Sequence, residues 1–140
     1  NRNVGNLFKL INPLCATDIT GYGLANHLIN LMQRSNELKG LTINLNKLPI
    51  FDGVELCINK NVKSSFYDQN YNFAKDKIIF QEVKNEKYQI LFDPQTVGGI
   101  AFIVSKFNKN KIMKILNQNK VSFKIIGKVD NSHKFLKIIN

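Results

Sequence analysis

Apolar residues recur along this chain at two spacings, one helical and one alternating. Leu24, Leu28, Leu31 and Met32 lie near helical spacing and predict a helix from Thr20 to Leu38, with Gly40 as its C-terminal stop. Ahead of it, Leu7, Leu10, Ile11 and Leu14 outline one face of a short helical lead-in over residues 1–13 that Pro13 halts. Leu41, Ile43 and Leu45 alternate with Thr42 and Asn44, the pattern of a half-buried strand, and Pro49 closes that segment. Residues 51–59 then offer a short helix with Val54, Leu56, Cys57 and Ile58 apolar. Residues 60–77 mix polar and aromatic side chains (Phe66, Tyr67, Tyr71, Phe73) without a period, which reads as an ordered loop with a helical turn.

The second half is more regular. Residues 78–83 fit a short strand or a loop, and residues 88–92 read as a strand ending at Asp93-Pro94. The wholly apolar run 100–104 suggests a central strand. Residues 108–119 place Ile112, Ile115 and Leu116 on one helical face. Strands at 122–129 and 135–139 follow, separated by the turn signal Asp130-Asn131-Ser132. Four to six strands and three or four helices in a non-repeating order imply an α+β layered domain, a mixed or mainly antiparallel sheet packed with helices. The strand–helix–strand after residue 99 looks locally ferredoxin-like.

Composition narrows the class. The 140 residues form one domain, residues 1–140, with 44% hydrophobic content and no apolar run long enough to span a bilayer. Cys15 and Cys57 cannot make a disulfide framework and sit in no CxxC, so a reducing cytoplasm is the natural setting. Cys15 has no sequence-local base and reads as a small buried hydrophobe. The net charge of +10 is in the range of nucleic-acid binders. The lysines, however, are dispersed from Lys60 through Lys84 to Lys120, and Arg2 and Arg34 are the only arginines, so a nucleic-acid partner is not expected. The excess charge would still steer anions.

The chemistry concentrates in Cys15 to Met32. Thr17, Asp18, Thr20, Gly21 and Gly23 make a polar, glycine-punctuated turn before the predicted helix. A helix N-terminus with free N–H groups suits an anion, and one carboxylate among hydroxyls suits Mg²⁺ bound to phosphate. The same residues equally serve as a structural turn in which Thr20 or Asp18 caps the helix. His27 has no metal-ligating partner at i+3 or i+4 and reads as a structural or surface histidine.

A second stretch, Asp93-Pro94-Gln95-Thr96-Val97-Gly98-Gly99, changes the weighing. Together with ATDITGYGL at residues 16–24 it resembles the C-terminal domain of the selenophosphate synthetase (selenide, water dikinase) family, within the aminoimidazole ribonucleotide (AIR) synthetase-like superfamily. The resemblance covers almost the whole chain. Ser64, Ser65 and Asn70 match the family's segment between the motifs, and residues 125–129 its closing strand.

The resemblance implies an AIR synthetase C-terminal-like fold, lying where an N-terminal ATP-binding, catalytic domain ends. It implies an enzyme that uses ATP, Mg²⁺ and water to turn selenide into selenophosphate, AMP and phosphate, as a homodimer in full-length form. Asp18 would be a magnesium ligand, and Thr17, Thr20, Gly21 and Gly23 would lie near the phosphates. Asp93, Pro94, Gln95, Thr96, Gly98 and Gly99 would shape the domain. Val97 departs from the family's usual serine. The family's catalytic Cys or selenocysteine, its Lys and its glycine-rich segment have no counterpart here, so no catalytic residue is expected in this chain and the isolated fragment is expected to be inactive. The alternatives are another superfamily enzyme with a different acceptor, or a non-catalytic basic binding domain.

Overall fold

A computed structural model describes residues 2–83 and 86–140. Asn1, which opens the expected lead-in, and Lys84, one of the dispersed lysines, lie outside the described residues. Among the described residues six strands fall into two sheets. The larger has the order β3-β6-β2-β5 and the smaller pairs β1 with β4.

The four-stranded sheet is built from β2 (Leu41–Asn44), β3 (Ile78–Phe80), β5 (Gly127–Val129) and β6 (Leu136–Ile139). β2 runs parallel to β6 and antiparallel to β5, and β6 is also parallel to β3, so the sheet is mixed. β2 occupies an inner position, which buries Leu41, Thr42 and Ile43 alike. The half-buried alternation expected there is therefore corrected: neighbours on both edges and a helix above leave no solvent face.

Helix α2 (Gly23–Arg34) lies on this sheet. Its Ala25, Leu28, Ile29 and Met32 join Leu41, Ile43, Leu45, Leu136 and Ile138 in the main core, with Tyr67, Ala74, Leu91 and Phe92 closing one side. The helix is shorter at both ends than its apolar spacing suggests. Ser35 takes extended backbone and stops it, while Gly40 lies under the β5–β6 turn, where a Cβ would meet the backbone oxygens of Asp130 and His133. Gly40 thus permits a close approach instead of ending the helix.

A second, smaller core joins α1 (Arg2–Ile11) to α5 (Lys109–Gln118) through Ile11, Ile112 and Leu116. Phe8 and Phe102 meet edge to face there, with ring centroids 5.8 Å apart. Asn12, at φ 48°, turns the chain out of α1 before Pro13. The short helix α3 (Val54–Asn59) buries only Ile58 and leaves Leu56 and Cys57 exposed. Residues 60–77 contain a full helix, α4 (Tyr67–Ala74), where a loop with one turn was expected. Its start is set by Ser64, whose hydroxyl accepts the Phe66 N–H and whose carbonyl accepts that of Tyr67.

Four further expectations change, one of them being the strand expected over residues 122–129, of which only Gly127–Val129 forms. Residues 88–92 are not a strand: residues 86–91 form 3₁₀ turns that bury Gln89 and Leu91, and Phe92 just beyond them is fully buried. Phe92 meets the rings of Tyr67 and Tyr71 edge to face at 5.9 and 5.2 Å, so an aromatic cluster fixes this segment, a contact that short-range periodicity cannot register. The apolar run at 100–104 gives β4 (Ile100–Ile103), which among the described residues pairs with β1 (Cys15–Asp18) alone and stays half-buried instead of central. Because β4 and β5 belong to different sheets, the strand–helix–strand containing α5 bridges the two and does not close a ferredoxin-like unit.

Candidate metal and phosphate site

The two motifs, distant in sequence, meet in space. β1 carries Thr17 and Asp18 and pairs antiparallel with β4, Asp18 opposite Ile100, so the glycines that precede β4 lie beside the turn that follows β1. The Ile19 N–H donates to the Gly99 carbonyl at 2.9 Å, and the Gln95 N–H donates to the Thr20 carbonyl at 3.2 Å. A Cβ on Gly98 would run into the Ile19 carbonyl, so only glycine admits this approach. Gln95 also donates from its side chain to the Asp93 carboxylate at 3.2 Å, closing residues 93–95 on themselves. Burial raises the Asp93 carboxyl pKa and the Gln95 bond partly offsets it.

A third segment completes the junction. Asn70 of α4 is buried, and its amide donates to the Gly21 carbonyl and to the Phe92 carbonyl, both at 2.9 Å. Its own backbone carbonyl accepts from the Asn26 side chain at 3.0 Å, and Asn26 also donates to the Tyr22 carbonyl at 2.9 Å. One side chain therefore ties the turn before α2 to the segment leading into Asp93. Gly23 adopts φ +73°, and a Cβ there would press on the Leu91 oxygen at 2.8 Å. The sequence match had singled out Asn70 without a role; its role is visible only once α4 is placed.

The N-cap position of α2 falls on Tyr22, whose side chain makes no capping bond, and not on Thr20 or Asp18. Thr20 is engaged elsewhere, since its N–H donates to His27 Nε2 at 3.0 Å and its hydroxyl lies 3.0 Å from the same nitrogen. The Thr17 hydroxyl stands 3.4 Å from His27 Nδ1 and donates to the Asp18 carbonyl at 3.2 Å. Burial lowers the His27 pKa, and the nearby Asp18 charge partly opposes this. His27 is thus a structural histidine, and its partners lie before it in the chain, not at i+3 or i+4 along the helix. Helical side chains lean toward the N-terminus, and His27 accordingly covers the turn that precedes its own helix.

Asp18, Thr20 and Gly21 are exposed on the rim of this junction, Thr17 is half-buried and Gly23 is buried. Of the second motif, Asp93, Pro94, Gln95 and Gly98 are half-buried, while Thr96, Val97 and Gly99 are exposed. Val97, at 88% exposure, makes the loop tip and leaves the packing indifferent to the missing serine. Cys15, in β1, is half-buried and burial raises its thiol pKa, which fits an inert packing residue. Two shallow depressions, of 220 Å³ around Glu55, Ile58 and Lys87 and of 290 Å³ around Met32, Lys39 and Lys77, include no residue of either motif.

The donor set can be tested against Mg²⁺. That ion takes oxygen ligands and uses only one or two protein carboxylates. Asp18 is an exposed carboxylate beside hydroxyls, and among the described residues no group of three or more His, Cys, Asp or Glu assembles. Asp18 therefore fits as one oxygen ligand for such an ion. Among the described residues no helix is long and apolar enough to cross a membrane.

Comparison with known proteins agrees with this architecture. The family model "AIR synthase related protein, C-terminal domain" matches residues 6–138. Proteins named selenide, water dikinase are similar to the chain over most of its length. That of Caldanaerobacter subterraneus subsp. tengcongensis is 26% identical over 96% of this chain and 39% of its own. That of Carboxydothermus hydrogenoformans is 35% identical over 80% and 32%, and that of Campylobacter jejuni 30% over 86% and 34%. The chain thus spans 32–39% of the length of these relatives. A domain-wide family match, together with two motifs locked into one junction, makes this chain a member of the AIR synthase related proteins, corresponding to their C-terminal domain.

Proposed function

We propose that this chain is the C-terminal part of a selenide, water dikinase, which moves one phosphoryl group from ATP to selenide and uses water to release another as phosphate, giving selenophosphate, phosphate and AMP. The observation that carries the reading is the junction itself: residues 93–99 hold the turn 17–23 so that Asp18 stands exposed on its rim. Mg²⁺, when bound, would neutralise phosphate charge during transfer. Asp18 would supply one of its ligands, the others coming from an N-terminal ATP-binding domain that also carries the nucleophile and lysine. Thr17, Thr20, Gly21 and Gly23 would shape the surface facing the phosphates. Asp93, Pro94, Gln95, Thr96, Gly98 and Gly99 would hold that surface without touching substrate. The full-length enzyme would be a cytoplasmic homodimer, and this chain alone would be inactive.

The test is Asp18→Asn in the full-length protein, assayed for Mg²⁺- and selenide-dependent AMP release. A loss of at least about 100-fold in rate, the scale of removing a metal-held charge from a phosphoryl-transfer site, is expected with thermal stability unchanged. Full activity in that variant would overturn the metal role. AMP release that ignores selenide would instead favour another acceptor within the same family. For the isolated chain, calorimetry should detect no micromolar Mg–ATP binding.

A further inference from the structure

We infer that His27 is the positioning residue of the Asp18 turn, holding it through both ring nitrogens without touching the metal itself; this rests on the metal role proposed for Asp18. The geometry dictates the tautomer. Nε2 receives the Thr20 N–H at 3.0 Å, so it carries no proton and its lone pair is occupied. The neutral ring therefore bears its proton on Nδ1, which faces the Thr17 hydroxyl at 3.4 Å. That hydroxyl donates onward to the Asp18 carbonyl at 3.2 Å. The relay is thus Nδ1–H to Thr17 Oγ1, and Thr17 O–H to the Asp18 oxygen, while Nε2 pins Thr20 on the other side.

Asp18 is bracketed by two threonines that one imidazole holds at both ends. The Thr20 carbonyl is fixed as well, accepting from Gly23 N at 3.0 Å and from Gln95 N at 3.2 Å. His27 is itself set by α2 and by an edge contact with Tyr22, ring centroids 6.1 Å apart. The backbone that carries the Asp18 side chain is therefore held on both sides. Orienting groups behind a metal ligand typically govern affinity by 10–100-fold. Because its Nε2 lone pair is already taken, His27 is not a ligand.

Two measurements test this. Nitrogen-15 spectra of the chain's two histidines read the tautomer directly. A bare Nε2 and protonated Nδ1 on His27 are expected, and a proton on Nε2 overturns the inference. In the full-length protein, His27→Leu removes both ring nitrogens, and His27→Gln keeps one acceptor and one donor. The leucine variant should raise the Mg²⁺ concentration for half-maximal AMP release at least about 10-fold. Glutamine should recover most of that shift, which a purely volumetric role would not allow. An unchanged Mg²⁺ midpoint in His27→Leu, or equal midpoints in the two variants, overturns the positioning role. Asp18→Asn separates the failures. If it is inactive while His27→Leu keeps its Mg²⁺ midpoint, only the positioning role falls; if it is fully active, the metal reading falls with it.

Discussion

Replacing Asn70 tests whether one buried amide holds the two motifs together. In Asn70→Ala the carbonyls of Gly21 and Phe92 lose donors that now stand at 2.9 Å. Phe92 is fully buried, so its carbonyl would lose its partner at the upper end of about 1–3 kcal/mol, whereas the exposed Gly21 can recruit water and falls at the lower end. The expected total is about 2–4 kcal/mol, a large share of the roughly 5–15 kcal/mol that holds a domain together. The Asn26 bond survives, because it reaches the backbone of Asn70. Asn70→Asp is nearly isosteric yet points acceptor oxygens at two acceptors, and it buries a charge. It should cost more than alanine at neutral pH. Its introduced carboxyl would have a folded-state pKa above the unfolded value. Its penalty is then smallest in acid and grows as pH rises through the unfolded value of about 4. Urea unfolding followed by circular dichroism gives the midpoints, with an unchanged slope confirming a stability effect. An aspartate variant as stable as wild type, or an alanine variant within about 0.5 kcal/mol of it, would refute the bridging role.

The neighbouring glycines of the second motif should separate sharply. Gly98→Ala drives a Cβ into the Ile19 backbone and should cost about 1–3 kcal/mol or more, while Gly99→Ala meets nothing within 4 Å and should fall within about 0.5 kcal/mol of wild type by the same unfolding assay. Burial depresses the His27 pKa, so the unfolded chain binds that proton first as pH falls; the corresponding stability is present above about pH 6.5 and is lost below it. Thermal melts from pH 7.5 to 5.5 should show the decline, and it should shrink in His27→Gln. Exposed Cys57 should react with a thiol reagent at pH 8 at least about 10-fold faster than Cys15, whose thiol pKa is raised by burial; peptide mapping of the labelled chain decides the order.

Much of the fold was legible where a segment's own pattern decides its state. The faces of α2 and α5, the final strand and the Asp130 turn follow from local spacing and turn chemistry, since amphipathic helices and short polar turns are specified by residues near one another. Residues 88–92 were not legible. Five mostly apolar positions suit a strand or a buried helical turn equally, and aromatic packing by Tyr67 and Tyr71 chose the latter.

The candidate site divides in the same way. The sequence by itself determined the residue types in the two motifs, the single carboxylate among hydroxyls and the glycines that allow close backbone approach. Only the tertiary structure decided that Gly98 lies against Ile19, that Asn70 joins the two motifs and that His27 serves the turn before its own helix. Local propensity acts through adjacent residues. These contacts join residues brought together by the β1–β4 pairing and the burial of α2, and their energies exist only after the chain has closed.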